Sequence, residues 1–336
     1  METRECFKPD LLWNCSYKWV VMTLKVSRWI DGGLEVLSSI VQRDTHPFMQ
    51  LKIARCALMM LPVSLCLTSS CIGQTDPADG EAQHELGYRY ERGDGVPRDT
   101  AKAFMWYRKA AEQGYVFAQI RVGFAYSDGC LGVAKDDVEA VKWFRKAAEQ
   151  GNAGAQVELG KFYYHGDGVP KNYAESTKWY RKAAEKGYWK AQLLLGFAYE
   201  DGEGVPKNCA EALKWYRKAA EQGNEDSQYK LASAYYYGRG VQKNYTEAVK
   251  WYRKAAEQGH VGSQSFLGYC YAEGSGVPKD YIQGYKWSNI AAGAKNYEFL
   301  AKNTRRILED QMTPVQISEA QKLSAEWKPK KEFNYH

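Results

Sequence analysis

Six tryptophans recur along this chain at an almost constant interval. Trp106, Trp143, Trp179, Trp215, Trp251 and Trp287 are separated by 37, 36, 36, 36 and 36 residues. The first five sit in nearly one phrase: Trp215–Gly223 reads W-Y-R-K-A-A-E-Q-G, and Trp251–Gly259 repeats it letter for letter. A fixed period of roughly 20–50 residues excludes a single globular core and implies a stack of like units, each packed mainly on its neighbours.

Each unit carries two helical patterns. In the fourth, Ala191, Leu195 and Tyr199 are spaced by four and share a face, with Gly196 beside Leu195. The same phase returns as Ala82/Leu86/Gly87/Tyr90, Ala118/Val122/Gly123/Tyr126, Ala155/Leu159/Gly160/Tyr163, Ser227/Leu231/Ala232/Tyr235 and Ser263/Leu267/Gly268/Tyr271. A glycine inside a helix costs about 1 kcal/mol relative to alanine. Five such glycines in six units predict that a partner helix approaches closely there. In the second pattern Ala212, Tyr216, Ala219 and Ala220 form one face, small enough for tight contact, and the recurring Trp and Tyr are expected in the core.

Turn and cap signals separate the patterns. Gly pairs at 93/95, 129/132, 166/168, 202/204, 238/240 and 274/276 predict positive-φ turns, with one extra residue in the second unit. Asn208 with Glu211 predicts a capping box, repeated as Asp136/Glu139, Asn172/Glu175, Asn244/Glu247 and Asp280/Gln283. The first unit has Asp99 but Lys102, half of the box. Gly114, Gly151, Gly187, Gly223 and Gly259 are expected to end the second helices in a left-handed conformation. Each unit is therefore a helical hairpin, and the fold class is all-α. Two further amphipathic helices follow. One carries Leu300, Thr304, Ile307, Leu308 and Met312; the other opens on Thr313-Pro314-Val315-Gln316 and presents Ile317, Ala320, Leu323 and Trp327. An atypical end with a polar outer face lets a stack stop.

A-Q-x-x-L-G-x-x-Y, then G-x-G-V-P-K-[DN], then A-x-x-W-Y-R-K-A-A-E-Q-G resembles the Sel-like (SEL-one-like) repeat family, related to tetratricopeptide repeats, over residues 78–295. The resemblance implies a right-handed α/α superhelical solenoid of six hairpins with C-terminal capping helices, serving as an adaptor in protein complexes. Many bacterial members are secreted. Some cysteine-rich bacterial relatives are linked to penicillin binding or β-lactamase activity, but they carry regular cysteine pairs within repeats, which this chain lacks.

The formal charge of +6 comes mostly from the first 75 residues and from Lys328, Lys330 and Lys331; residues 76–327 hold 35 Lys/Arg against 33 Asp/Glu. A nucleic-acid partner would need a concentrated basic face, so none is expected. The Arg-Lys pairs of the second helices read as a solvated, mixed-charge face.

Residues 49–71 have the layout of a signal peptide: Lys52 and Arg55, an apolar run from Cys56 to Leu67, then Thr68, Ser69 and Ser70. Translation is expected to begin at Met49, with residues 1–48 an upstream extension from a mis-assigned start; the competing reading is a short buried helix. Residues 72–80 read as a linker, 81–295 as the six repeats and 296–330 as capping helices. A periplasmic or secreted, monomeric protein is expected, attached to a membrane only if Cys71 is lipidated. Thr68 stands where lipidation sites usually carry an aliphatic residue, which favours plain cleavage. Cys130, Cys209 and Cys270 then remain, in different repeats, and imply packing rather than a disulfide framework or a metal site.

No catalytic constellation, cofactor motif or metal site is apparent in the sequence. Ser227-Gln228-Tyr229-Lys230 fits S-x-x-K, but Ser227 replaces a packing alanine and no K-T-G follows. Binding is better supported. First-helix positions opposite the packing face vary while the packing positions repeat, as expected of a groove for an extended peptide. The candidates are Tyr88, Phe124, Lys161, Tyr164, Phe197, Glu200, Asp201, Tyr229, Tyr236 and Tyr269. The functional expectation is a scaffold that holds a protein or peptide without catalysis. The alternatives are a β-lactamase-like or penicillin-binding enzyme and a secreted effector acting on a host partner.

Overall fold

In the computed structural model, the described residues are 78–293 and 298–330. The expectations for the upstream extension, the signal peptide, Cys71 and most of the linker lie outside them. The described residues from 79 onward belong to one compact unit. Fourteen α-helices and no strand occur among the described residues, all of them in that unit.

They form six hairpins: α1 (Gly80–Arg92) with α2 (Thr100–Glu112), α3 (Val116–Asp128) with α4 (Asp137–Glu149), α5 (Ala153–His165) with α6 (Tyr173–Glu185), α7 (Trp189–Asp201) with α8 (Cys209–Glu221), α9 (Glu225–Tyr237) with α10 (Tyr245–Gln258), and α11 (Val261–Glu273) with α12 (Tyr281–Ala291). Each second helix also packs on the first helix of the next hairpin, the contact that makes a solenoid. Two further helices, α13 (Glu298–Glu309) and α14 (Pro314–Ala325), close the end against α12. First helices of consecutive hairpins approach one another directly, α1 to α3 and α5 to α7, which puts them on the inner side of the stack.

The repeat-locked side chains form the core. Val122, Leu159, Leu195, Leu231 and Leu267 are fully buried, as are Tyr107, Phe144 and Tyr252 of the second helices. The tryptophans are buried as well, Trp215 only partly. The glycine after each Leu has a specific cause. A Cβ on Gly87 would lie 2.8 Å from the ring of Tyr107, and one on Gly123 would lie 3.0 Å from the ring of Phe144. The ring after Trp106, Trp143, Trp179 and Trp215 thus lies directly on the first helix, whereas Gly268 meets Ser288 and the backbone of Gly284. In α1, Ala82 is exposed and Leu86 half-buried, because no described hairpin precedes them.

Three sequence expectations are corrected. The capping boxes of the second helices are only half made. Asp136, Asn172, Asn244 and Asp280 accept from the amide three residues on, as expected. The acids do not reach back: Glu139, Glu175, Glu211 and Glu247 pair instead with the lysine three residues on, at 2.5–3.2 Å. The cap amide they would have bound is already satisfied by the preceding first helix, as in Asn208 N–H to the Tyr199 carbonyl at 2.8 Å. Among the described residues a complete box forms at Thr313 and Gln316.

The Arg-Lys pairs are not simply solvated. Arg145, Arg181 and Arg253 donate to the hydroxyls of Tyr163, Tyr199 and Tyr271 in the next hairpin at 2.7–2.8 Å, and Arg217 does the same to Tyr235. The adjacent lysines lie over the tryptophans, as Lys146 over Trp143 at 4.0 Å and Lys254 over Trp251 at 4.2 Å. In α13, Ile307 is exposed, and Ala301, Thr304 and Leu308 make the buried side.

A glutamine ladder, not anticipated from the sequence, joins the hairpins. Each buried Gln of the Ala-Gln (or Ser-Gln) pairs turns its amide onto the carbonyl that ends the preceding second helix: Gln119 to Ala111, Gln156 to Ala148, Gln192 to Ala184, Gln228 to Ala220 and Gln264 to Ala256, at 3.0–3.2 Å. In four hairpins the oxygen of the first-helix Gln accepts from the Gln that ends the same hairpin's second helix: Gln113 to Gln83 at 3.2 Å, and Gln150 to Gln119, Gln222 to Gln192 and Gln258 to Gln228 at 2.8 Å. Orphan carbonyls at helix ends must find donors, and here side chains supply them.

Candidate binding groove

The inner wall is lined by the first helices, and its character changes from hairpin to hairpin. Between α1 and α3, Arg121 pairs with Glu91, which also accepts from Tyr107 Oη at 2.7 Å. The same three-part arrangement returns between α7 and α9. Glu200 pairs with Lys230 Nζ at 2.9 Å and accepts from Tyr216 Oη at 2.6 Å. Burial opposes the Glu200 carboxylate, but the Tyr216 hydroxyl and Lys230 outweigh it and hold its pKa below the usual range. Phe197 lies beneath Lys230 at 4.8 Å and meets Tyr216 edge-on at 5.7 Å.

Between α9 and α11 the pattern turns aromatic. Tyr236 stands at the phase of Glu91 and Glu200, and Phe266 at that of Arg121 and Lys230. Phe266 stacks on Tyr252 at 5.2 Å with 7° between planes and meets Tyr236 at 6.0 Å and Tyr229 at 6.1 Å. Tyr237, exposed at 46%, and Tyr245 extend the cluster outward. The Tyr252 hydroxyl, with neither carboxylate nor cation beside it, is buried without a hydrogen-bond partner, and burial pushes its pKa far up.

The remaining candidates are distributed along the wall. Tyr88 is half-buried, with Arg92 over its ring at 5.0 Å. Phe124 meets Phe144 edge-on at 5.0 Å. Lys161 pairs with Glu158 at 2.8 Å. Tyr164 packs on Tyr173 at 5.1 Å, and Glu203 beside it raises its hydroxyl pKa. Asp201 is exposed at the end of α7, and Tyr269 is half-buried on α11. The structure thus brings Glu200 with Phe197 and Tyr229 with Tyr236 into local clusters, and leaves Tyr88, Lys161 and Asp201 apart. Sequence reasoning missed Glu91, Arg121, Lys230 and Phe266. Comparing the position two after each buried Gln across the repeats, Arg121 with Glu158, Leu194, Lys230 and Phe266, would have revealed it as a variable wall position.

The S-x-x-K reading fails geometrically. Ser227 is fully buried and its hydroxyl donates to Asn224 Oδ1 at 2.6 Å, while Lys230 is engaged with Glu200. Cys270 is buried and its thiol pKa is pushed up to about 12; Cys130 and Cys209 are half-buried.

The Sel1 repeat family model matches residues 80–115, 116–152, 153–188, 189–224, 225–260 and 261–296. A Sel1 repeat protein from Oxalobacter formigenes is 38% identical over 65% of this chain and 89% of its own, with a TM-score of 0.57. A protective antigen present in uropathogenic Escherichia coli strains, displaying an SLR fold, is 32% identical over 74% of this chain, with a TM-score of 0.51. That match spans 61% of the antigen's own length. Comparison with curated protein sequences gave no match.

Proposed function

Because the chain belongs to the Sel1 repeat family, whose solenoids are protein-interaction scaffolds, we propose that it is a non-catalytic scaffold holding an extended segment of another protein along its inner wall. The observation that carries this reading is the contrast within each first helix. Packing positions repeat, whereas wall positions change from the Glu200–Lys230 ion pair to the aromatic cluster of Tyr229, Tyr236, Tyr237 and Phe266 within one hairpin step. Extended peptides are bound by such rows of unlike subsites, with aromatic side chains as anchors. The leader-like residues 49–71 support export to the periplasm or beyond, and a single chain suffices to present the wall.

The test is site-specific photo-crosslinking in the native host. A photoreactive residue at Tyr237 or Asp201, on the inner wall, should trap the same protein, and one at exposed Lys214 on α8 should not. Trapping from Lys214 alone would overturn the reading.

A further inference from the structure

We propose that the corner between α4, α5 and α6 is a binding site for a primary carboxamide. The repeat itself shows what the site takes. In the second hairpin Gln150 Nε2 donates at once to the Gly114 carbonyl at 3.0 Å and to Gln119 Oε1 at 2.8 Å. In the fifth, Gln258 Nε2 donates to the Gly223 carbonyl at 3.1 Å and to Gln228 Oε1 at 2.8 Å. The corresponding acceptors in the third hairpin are the Gly151 carbonyl and Gln156 Oε1, but the residue that should serve them is Lys186. Its ammonium bonds Gly151 O and leaves Gln156 Oε1 without a partner, although Gln156 is only 3% exposed.

A cleft of about 480 Å³ opens at this point, lined by Gln156 with Glu149, Gly151, Lys182, Glu185 and Lys186. That is within the usual size range of small-molecule sites, roughly 300–1,000 Å³. The charges of the two glutamates and two lysines cancel, so neither an anion nor a cation is favoured as a whole. The two acceptors call for one nitrogen with two N–H groups, and in the sister corners the neutral carboxamides of Gln150 and Gln258 supply it. Lys186 is exposed and flexible and can swing out as the ligand enters. A buried acceptor without a donor is costly, and satisfying it is what binding gains. The same chemistry is available from a free small amide or from a Gln or Asn side chain of a partner protein. The site lies at the corner joining second to first helices and does not depend on the groove reading.

The experiment follows the side-chain amide resonances of Gln156 in the folded protein during titration with propionamide, with propionate as control. The expected result is a saturable shift with propionamide and none with propionate, lost in Lys186→Gln, whose own carboxamide would fill the corner. Gln156→Met, which removes the acceptor, should abolish the rise in Tm that propionamide causes in the unmodified protein. A tripeptide with a central Gln that competes with propionamide identifies a side-chain source, and failure to compete identifies a small amide. The absence of a saturable shift, equal binding of propionate, or undiminished binding by Lys186→Gln would overturn the proposal.

Discussion

Arg181 on α6 reaches across the hairpin boundary and donates to the Tyr199 hydroxyl on α7 at 2.8 Å. The contact recurs with a spacing of 18 residues in four hairpins. It joins the second helix of one unit to the packing tyrosine of the next, so it stabilises stacking rather than the hairpin itself. Tyr199→Phe should cost about 1.5–3 kcal/mol, the range for a hydrogen bond to a charged group. In a double-mutant cycle with Arg181→Met, urea denaturation should give a coupling energy of about 1 kcal/mol. Strict additivity would remove the interaction from the account.

Gly196 lies under the ring of Tyr216 so closely that a Cβ could not fit without moving the ring. Gly196→Ala would gain about 1 kcal/mol of helix propensity, but overpacking a tight contact typically costs about 1–3 kcal/mol. The net change should be destabilising, read as a lowered Tm. At the same phase Ala232 is fully buried, so Ala232→Gly should destabilise as well, by about 1 kcal/mol.

Tyr216 and Tyr252 occupy the same phase but have opposite needs. Tyr216→Phe removes a donor from the half-buried Glu200 and should destabilise by about 1–2 kcal/mol. Tyr252→Phe removes a hydroxyl that has no partner and should be neutral or stabilising by up to about 1 kcal/mol. Chemical denaturation of the two variants side by side checks the contrast.

His84 sits between the rings of Tyr107 and Tyr115, at 5.2 and 5.3 Å. Burial, and then the charge of Arg121, lower its pKa from 6.5 to about 4, against the opposing pull of Glu91. The unfolded chain therefore takes up the proton first as pH falls. The contribution of His84 is complete above about pH 6.5 and is lost progressively down to about pH 4. Over that window the loss should approach about 2–3 kcal/mol. His84→Gln should show a correspondingly flatter stability profile between those pH values.

The site was less legible than the fold. Phe124, Phe197 and Tyr229 were correctly placed on first helices, yet each is also packed against a second-helix ring. Helical phase locates a position on a face. It does not reveal how far a long side chain folds back onto its neighbour, because that depends on the spacing between hairpins.

The sequence by itself determined the hairpin, its period, its turns and its left-handed helix ends. These depend on φ preferences, local caps and apolar spacing, all read within one unit. It also signalled the close approach at Gly87 and Gly123, though not that a tyrosine or phenylalanine ring fills it. Tertiary structure alone decided where the cap amide of Asn208 is satisfied, which hydroxyl Arg181 reaches and how Gln258 joins Gln228. Those partners lie 9, 18 and 30 residues apart. Such pairs meet only when neighbouring helices stack at a set distance and angle, a property of the assembled solenoid and not of any one repeat.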